Sequence, residues 1–244
     1  MGEAIVWNVD TQKDFMYSGW GLYVPDAENI IPNLKGVFES AMANNIKVLG
    51  SADEHNKKSP ELIRNGGPFP DHCMKGTDGQ LNIPETLFPE GQVGIVHWEK
   101  RYKKAMLEKL FSYPQVILTK DTTDVHKKEA SPYVDALLAT IKPDTTIYVI
   151  GVATEYCVLC ALQGLVAFAK KNNCRVAVVE DAIKPITKEG ERTALDKYRK
   201  LGVQFVRASE AIAHFKSLNA QISYQSTAKF ITTPTDAKRG KNTT

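Results

Sequence analysis

Three residues carry side chains that could do covalent chemistry together: Asp10, Lys120 and Cys157. A thiol is a poor nucleophile until it loses its proton. A neighbouring carboxylate can take that proton, and an ammonium favours both the thiolate and the ionised carboxylate. Cys157 stands in the stretch GVATEYCVLC, residues 151–160, just after a β-branched run. That position puts its sulfur near a predicted helix N-terminus, where the partial positive charge favours an anion. Two other readings of this stretch stand beside the nucleophile. Cys157 and Cys160 could be a redox pair, but no Gly or Pro lies between them and they follow the fifth predicted strand rather than the first. They could also be half of a zinc site, yet Cys73 and Cys174 each stand alone. Cys160 lies about one helical turn beyond Cys157 and reads as a packing residue.

A second cluster lies in the loop following the second strand. Asp53 and His55 are two residues apart, so on an extended chain they face the same way. His72 follows in FPDHCMKGT, residues 69–77, and would have to fold back towards them. Asp and His suit a divalent first-row metal, with Glu61 as a candidate fourth ligand. The bland alternative is that polar residues of a long loop simply face water.

The elements that must position these groups show as strand-like runs at Ala4–Val9, Ile46–Ser51, Val93–Val96, Val116–Thr119, Thr145–Ile150, Arg175–Val179 and Val203–Val206. Ile30, Ile31, Leu34, Val37, Phe38 and Met42 recur at helical spacing between the first two. Val134, Leu137, Leu138 and Ile141 do so later, with Ser131 as expected N-cap and Pro132 at the first helical position. Further helices are expected at about 155–171, 188–200 and 208–217, and the stretch Trp98–Pro114 reads as an inserted helix. Strand and helix in alternation predict a three-layer α/β fold, a doubly wound, mostly parallel sheet with helices on both faces. Such sheets bind ligands beyond the carboxyl ends of their strands. Asp10, Asp53, Lys120 and Cys157 all fall there.

The chain has 244 residues, is 43% hydrophobic and carries a net charge of +3, which allows one full core. Residues 1–217 are expected to form the domain. Residues 218–244, polar and with a basic KRGK stretch, are expected to be a flexible tail. The charge is dispersed, so nucleic acid is not an expected partner. No run reaches the ~18 apolar residues that span a bilayer, so no membrane is expected either. Four cysteines in such a length do not form a disulfide framework, and a cytoplasmic setting is expected. Self-association into a homo-oligomer is left open.

The stretches VDTQKDF (9–15), DEH (53–55), PDHCMKGT (70–77), TK (119–120) and GVATEYCV (151–158) come in an order that resembles the isochorismatase-like cysteine hydrolases, and most closely the nicotinamidases among them. The resemblance implies hydrolysis of nicotinamide, or of an analogue, to the acid and ammonia, in NAD salvage. It implies Cys157 as nucleophile, Asp10 as base and Lys120 as third member. It implies a cis peptide at Val152-Ala153 that helps form an oxyanion hole, and Phe15 and Phe69 flanking the substrate ring. It implies one divalent metal on Asp53, His55 and His72, zinc before manganese or iron. Other implied readings are a different amidase or hydrolase of this family, or a binding protein on the same scaffold.

Overall fold

The computed structural model describes residues 3–129 and 131–231. Strands β1 (Ala4–Val9), β2 (Lys47–Asp53), β3 (Val93–Val96), β4 (Gln115–Lys120), β5 (Thr146–Val152), β6 (Arg175–Lys184) and β7 (Gln204–Val206) form one sheet. Its order is β3-β4-β2-β1-β5-β6-β7, and every neighbouring pair is parallel. Parallel strands need crossovers, and helices supply most of them. These are α1 (Lys13–Met16), α2 (Ile31–Ala43), α3 (Lys104–Phe111), α4 (Val134–Leu138), α5 (Leu159–Asn172), α6 (Lys188–Leu201) and α7 (Ala208–Ile231).

Period-two alternation divides the core into two layers. Ile5, Trp7 and Val9 of β1 point to the layer that contains Leu162 and Leu165 of α5 and Tyr198 of α6. Ala4 and Val6 point to the opposite layer, with Leu34, Val37 and Phe38 of α2 and Phe215 of α7. A strand buried on both sides reads as a continuous apolar run, which is why AIVWNV was legible as β1. At the end of β5 Gly151 adopts φ +112°, and a Cβ there would lie 1.9 Å from the carbonyl oxygen of Val9, so the close β1–β5 approach needs glycine.

Three local expectations are corrected. Helix α4 starts at Val134, not at Pro132; its N-cap position is Tyr133, without a side-chain cap, and the Ser131 carbonyl accepts from the Val134 N–H in a turn. Met42 is exposed (43%), because the buried stripe of α2 runs through Leu34, Val37, Phe38 and Ala41. Helix α7 does not stop near residue 217. It continues to Ile231, since no Gly or Pro interrupts residues 208–231. Residues 218–231, expected as part of a flexible tail, are therefore helical, while residues 232–244, with the KRGK stretch, lie outside the described residues. The expected helix within 98–114 is α3.

Candidate active site

The winding of the sheet reverses at β1: the chain adds β2 on one side of it and β5 on the other. Four adjacent strands, β4-β2-β1-β5, then deliver Lys120, Asp53, Asp10 and Cys157 to one edge. Lys120 ends β4 directly opposite Asp53 in β2. Asp10 follows β1 in a left-handed conformation, φ +47°. Its backbone N–H bonds to the Ser51 carbonyl at 3.1 Å, and its Oδ1 accepts from the Ser51 hydroxyl at 2.7 Å. Cys157 lies in a wide helical turn, Thr154–Val158, that leads into α5. Such turns recur at functional sites.

Lys120 is fully buried and is the hub of the cluster. Its Nζ lies 2.9 Å from Asp10 Oδ2 and 3.7 Å from Cys157 Sγ, and it forms a close ion pair with Asp53 Oδ1. Burial works to discharge the amine, but Asp10 and Asp53 outweigh it and hold its pKa well above the usual lysine value. Burial also pushes the Cys157 thiol well up; Lys120 pulls it down, and Asp10 and Asp53 push it up again. The sulfur therefore rests as a thiol and needs a base. Asp10 lies beside it, with a carboxylate oxygen within 4.8 Å of the sulfur; burial raises Asp10 above the usual carboxylate range, with Lys120 working the other way. The expected aid from Lys120 is present, but desolvation is the larger effect on the thiol.

Asp53, His55 and His72 come together, with ligand atoms within 4.8 Å of one another. The His55 and His72 Nε2 atoms face Asp53 Oδ2 at 3.6 and 3.7 Å, too far for good hydrogen bonds. The His72 Nδ1 lies 2.8 Å from the Pro70 carbonyl, and the His55 Nδ1 lies 3.1 Å from Asp121 Oδ1. Both partners can only accept, so each Nδ1 carries the hydrogen and the neutral ring keeps its Nε2 lone pair free. His55 Nε2 is buried without a hydrogen-bond partner. One carboxylate and two such imidazoles fit a divalent metal of the zinc type. In the metal-free protein burial works to discharge His55, but the Asp121 and Asp53 carboxylates raise its pKa to about 9, so a proton competes with a metal for this site. Glu61 is not among the converging ligands. It lines the same pocket, and its Oε1 accepts from the Thr123 N–H at 2.7 Å.

A pocket joins the two clusters, and Asp53, His72, Cys157 and Ala153 all line it. Phe15, Phe69, Leu22, Val24 and Ile186 form apolar walls. The Phe15 and Phe69 rings lie 5.5 and 5.9 Å from the His72 ring. The Val152-Ala153 peptide is cis. All four cysteines are free thiols, Cys157 and Cys160 included.

Several residues that hold the site had no assigned role in the sequence reading. Gln12 is fully buried and grips Asp53 at both backbone groups: its Nε2 donates to the Asp53 carbonyl at 2.8 Å, and its Oε1 accepts from the Asp53 N–H at 2.6 Å. Asp14 accepts from the Cys73 N–H at 2.6 Å and ties the His72 segment to α1. Glu155 accepts from the N–H groups of Ile186 and Thr187 and anchors the turn that bears Cys157. Tyr156 meets Phe69 edge-on at 5.7 Å across the pocket. Gln12 and Asp14 lie in VDTQKDF, and Glu155 and Tyr156 in GVATEYCV, but all four act through contacts distant in sequence.

Comparison with known proteins places the chain among relatives. A family model described as the isochorismatase domain matches residues 3–210. Among solved structures, the pyrazinamidase of Pyrococcus horikoshii in complex with zinc aligns with TM-score 0.64 and 24% identity over 84% of this chain and 99% of its own. The nicotinamidase of Bacillus subtilis aligns with TM-score 0.60 and 17% identity over 85% of this chain and 100% of its own. The N-carbamoylsarcosine amidase of Thermoplasma acidophilum aligns with TM-score 0.59 and 23% identity over 84% of this chain and 96% of its own. At these identities the likeness shows the fold. A comparison with curated proteins finds no match.

Proposed function

The chain belongs to the isochorismatase family, and from that premise we propose that it is a nicotinamidase, hydrolysing nicotinamide to nicotinate and ammonia through a thioester on Cys157. The observation that carries this reading is one pocket lined by Cys157 and by Asp53 and His72, two members of the Asp53-His55-His72 set. An amide carbon and a ring nitrogen need those two kinds of partner a short distance apart. The walls agree with a flat, uncharged substrate. Among the described lining residues there is no Lys or Arg, and Glu61 would repel a carboxylate. The lining thus favours a heteroaromatic amide over a carboxylate-bearing substrate.

The proposed chemistry starts with Asp10 taking the thiol proton as Cys157 Sγ attacks the carboxamide carbon. Lys120 keeps the carboxylates of Asp10 and Asp53 from repelling each other and the forming thiolate. The N–H groups of Ala153 and Cys157 are assigned to the oxyanion of the tetrahedral intermediate. Asp10 returns the proton to the nitrogen, the C–N bond breaks, and ammonia leaves an acyl thioester. Water, deprotonated by Asp10, attacks that thioester. The C–S bond breaks, the acid departs, and the proton returns to sulfur. Asp53, His55 and His72 would hold one divalent metal, zinc before manganese or iron; such an ion supplies a Lewis-acidic site for the ring nitrogen. Phe15 and Phe69 flank the ring.

The reading brings with it a role in NAD salvage and a cytoplasmic setting. Among the described residues no helix is long and apolar enough to cross a membrane. Ammonia release from nicotinamide by the purified protein tests the proposal. Turnover supports it, and no turnover by folded, metal-loaded protein turns the reading towards another amide or towards binding alone.

A further inference from the structure

Asp121, the residue after Lys120, is buried (8% exposed) in the loop that follows β4. Burying a carboxylate is costly unless it is paired. Its Oδ1 is approached by two groups: the His55 Nδ1 at 3.1 Å, and the Ser59 hydroxyl in a close hydrogen bond. Ser59 is itself fully buried, and its Oγ also accepts from the Asn56 N–H at 2.8 Å. A chain of hydrogen bonds thus fixes Asp121, and Asp121 faces His55 on the side away from Asp53. The ring of His72 has only the neutral Pro70 carbonyl at the matching position.

We infer that Asp121 is a positioning residue for the metal ligand His55, holding the hydrogen on Nδ1 so that the Nε2 lone pair points towards Asp53 and His72. A carboxylate on the far nitrogen of a ligating imidazole fixes its tautomer, orients the ring and makes it more basic. It also makes the two imidazoles unequal, with His55 the more strongly supported. This inference rests on the metal reading above.

The test is zinc affinity, measured by competition with a chromogenic chelator, for the whole protein and its Asp121→Ala, Asp121→Asn and His72→Ala variants. Asp121→Ala is expected to weaken zinc binding by roughly 10- to 100-fold. Asp121→Asn, whose amide oxygen still accepts from Nδ1–H, should fall between it and the wild type. In zinc-loaded wild type the His55 Nδ1–H should appear as a slowly exchanging downfield proton resonance, absent from Asp121→Ala. A purely structural role for Asp121 would move neither the order of the variants nor that resonance. Should Asp121→Ala fail to fold, Ser59→Ala is expected to weaken zinc binding in the same direction by less. Equal affinity in wild type and Asp121→Ala, with His72→Ala impaired, overturns this inference and leaves the metal reading standing. No zinc binding by the wild type overturns both.

Discussion

Asp53 divides its two carboxylate oxygens between two tasks: Oδ1 pairs with the Lys120 ammonium, and Oδ2 faces His55 and His72. One residue thereby joins the cluster around Cys157 to the ligand set. Burial opposes its charge, yet Lys120 and the two imidazoles hold Asp53 well below the usual carboxylate range. It stays ionised at any pH where the protein would work, which both tasks require.

Removing the sulfur tests the covalent route. Cys157→Ala deletes little volume, and its neighbours in the apolar layer remain packed. We expect turnover lost to background, with thermal unfolding and metal content unchanged. A variant that turns over substrate at a substantial fraction of the wild-type rate shows that Cys157 is not the nucleophile.

Gln12 should matter through Asp53. Gln12→Ala leaves the Asp53 N–H and carbonyl without their partner in a buried position, at about 1–3 kcal/mol for each unsatisfied group. The melting temperature should fall, and metal affinity should fall with it as Asp53 loosens. Unchanged values on both counts would mean that water or a neighbour replaces the amide fully.

The pH dependence has a definite sign. Burial raises the Asp10 pKa above the ordinary carboxylate value, with Lys120 opposing. The base must be ionised, so kcat/KM should fall as pH drops through that raised value, in metal-saturated enzyme. The contribution of Asp10 to stability runs the other way: it is present at low pH and lost as pH rises through the same pKa. An acid limb at or below the value of a free carboxylate would contradict a buried Asp10 as base.

Much of this was legible in the sequence. The seven strands were placed within a few residues of their observed ends, except that β6 runs on to Lys184, because most of them are short, largely apolar runs. The binding edge followed from the rule for parallel sheets, and that rule brought Asp10, Asp53, Lys120 and Cys157 together before any contact was known. What stayed hidden depends on distance in sequence. Gln12 meets Asp53 across 41 residues, and Asp121 meets His55 across 66; a lone buried amide or acid has no periodicity to mark it. The length of α7 was missed because its second half is polar, and polar helices carry no apolar stripe.

The most direct measurement is ammonia release from nicotinamide by the purified protein, before chelation, after it, and after zinc is returned. The account predicts release that disappears with the metal and is restored by zinc, in wild type but not in Cys157→Ala. Release that survives complete removal of the metal would contradict the role given to Asp53, His55 and His72. Absence of release from folded, zinc-loaded protein would contradict nicotinamide as the substrate.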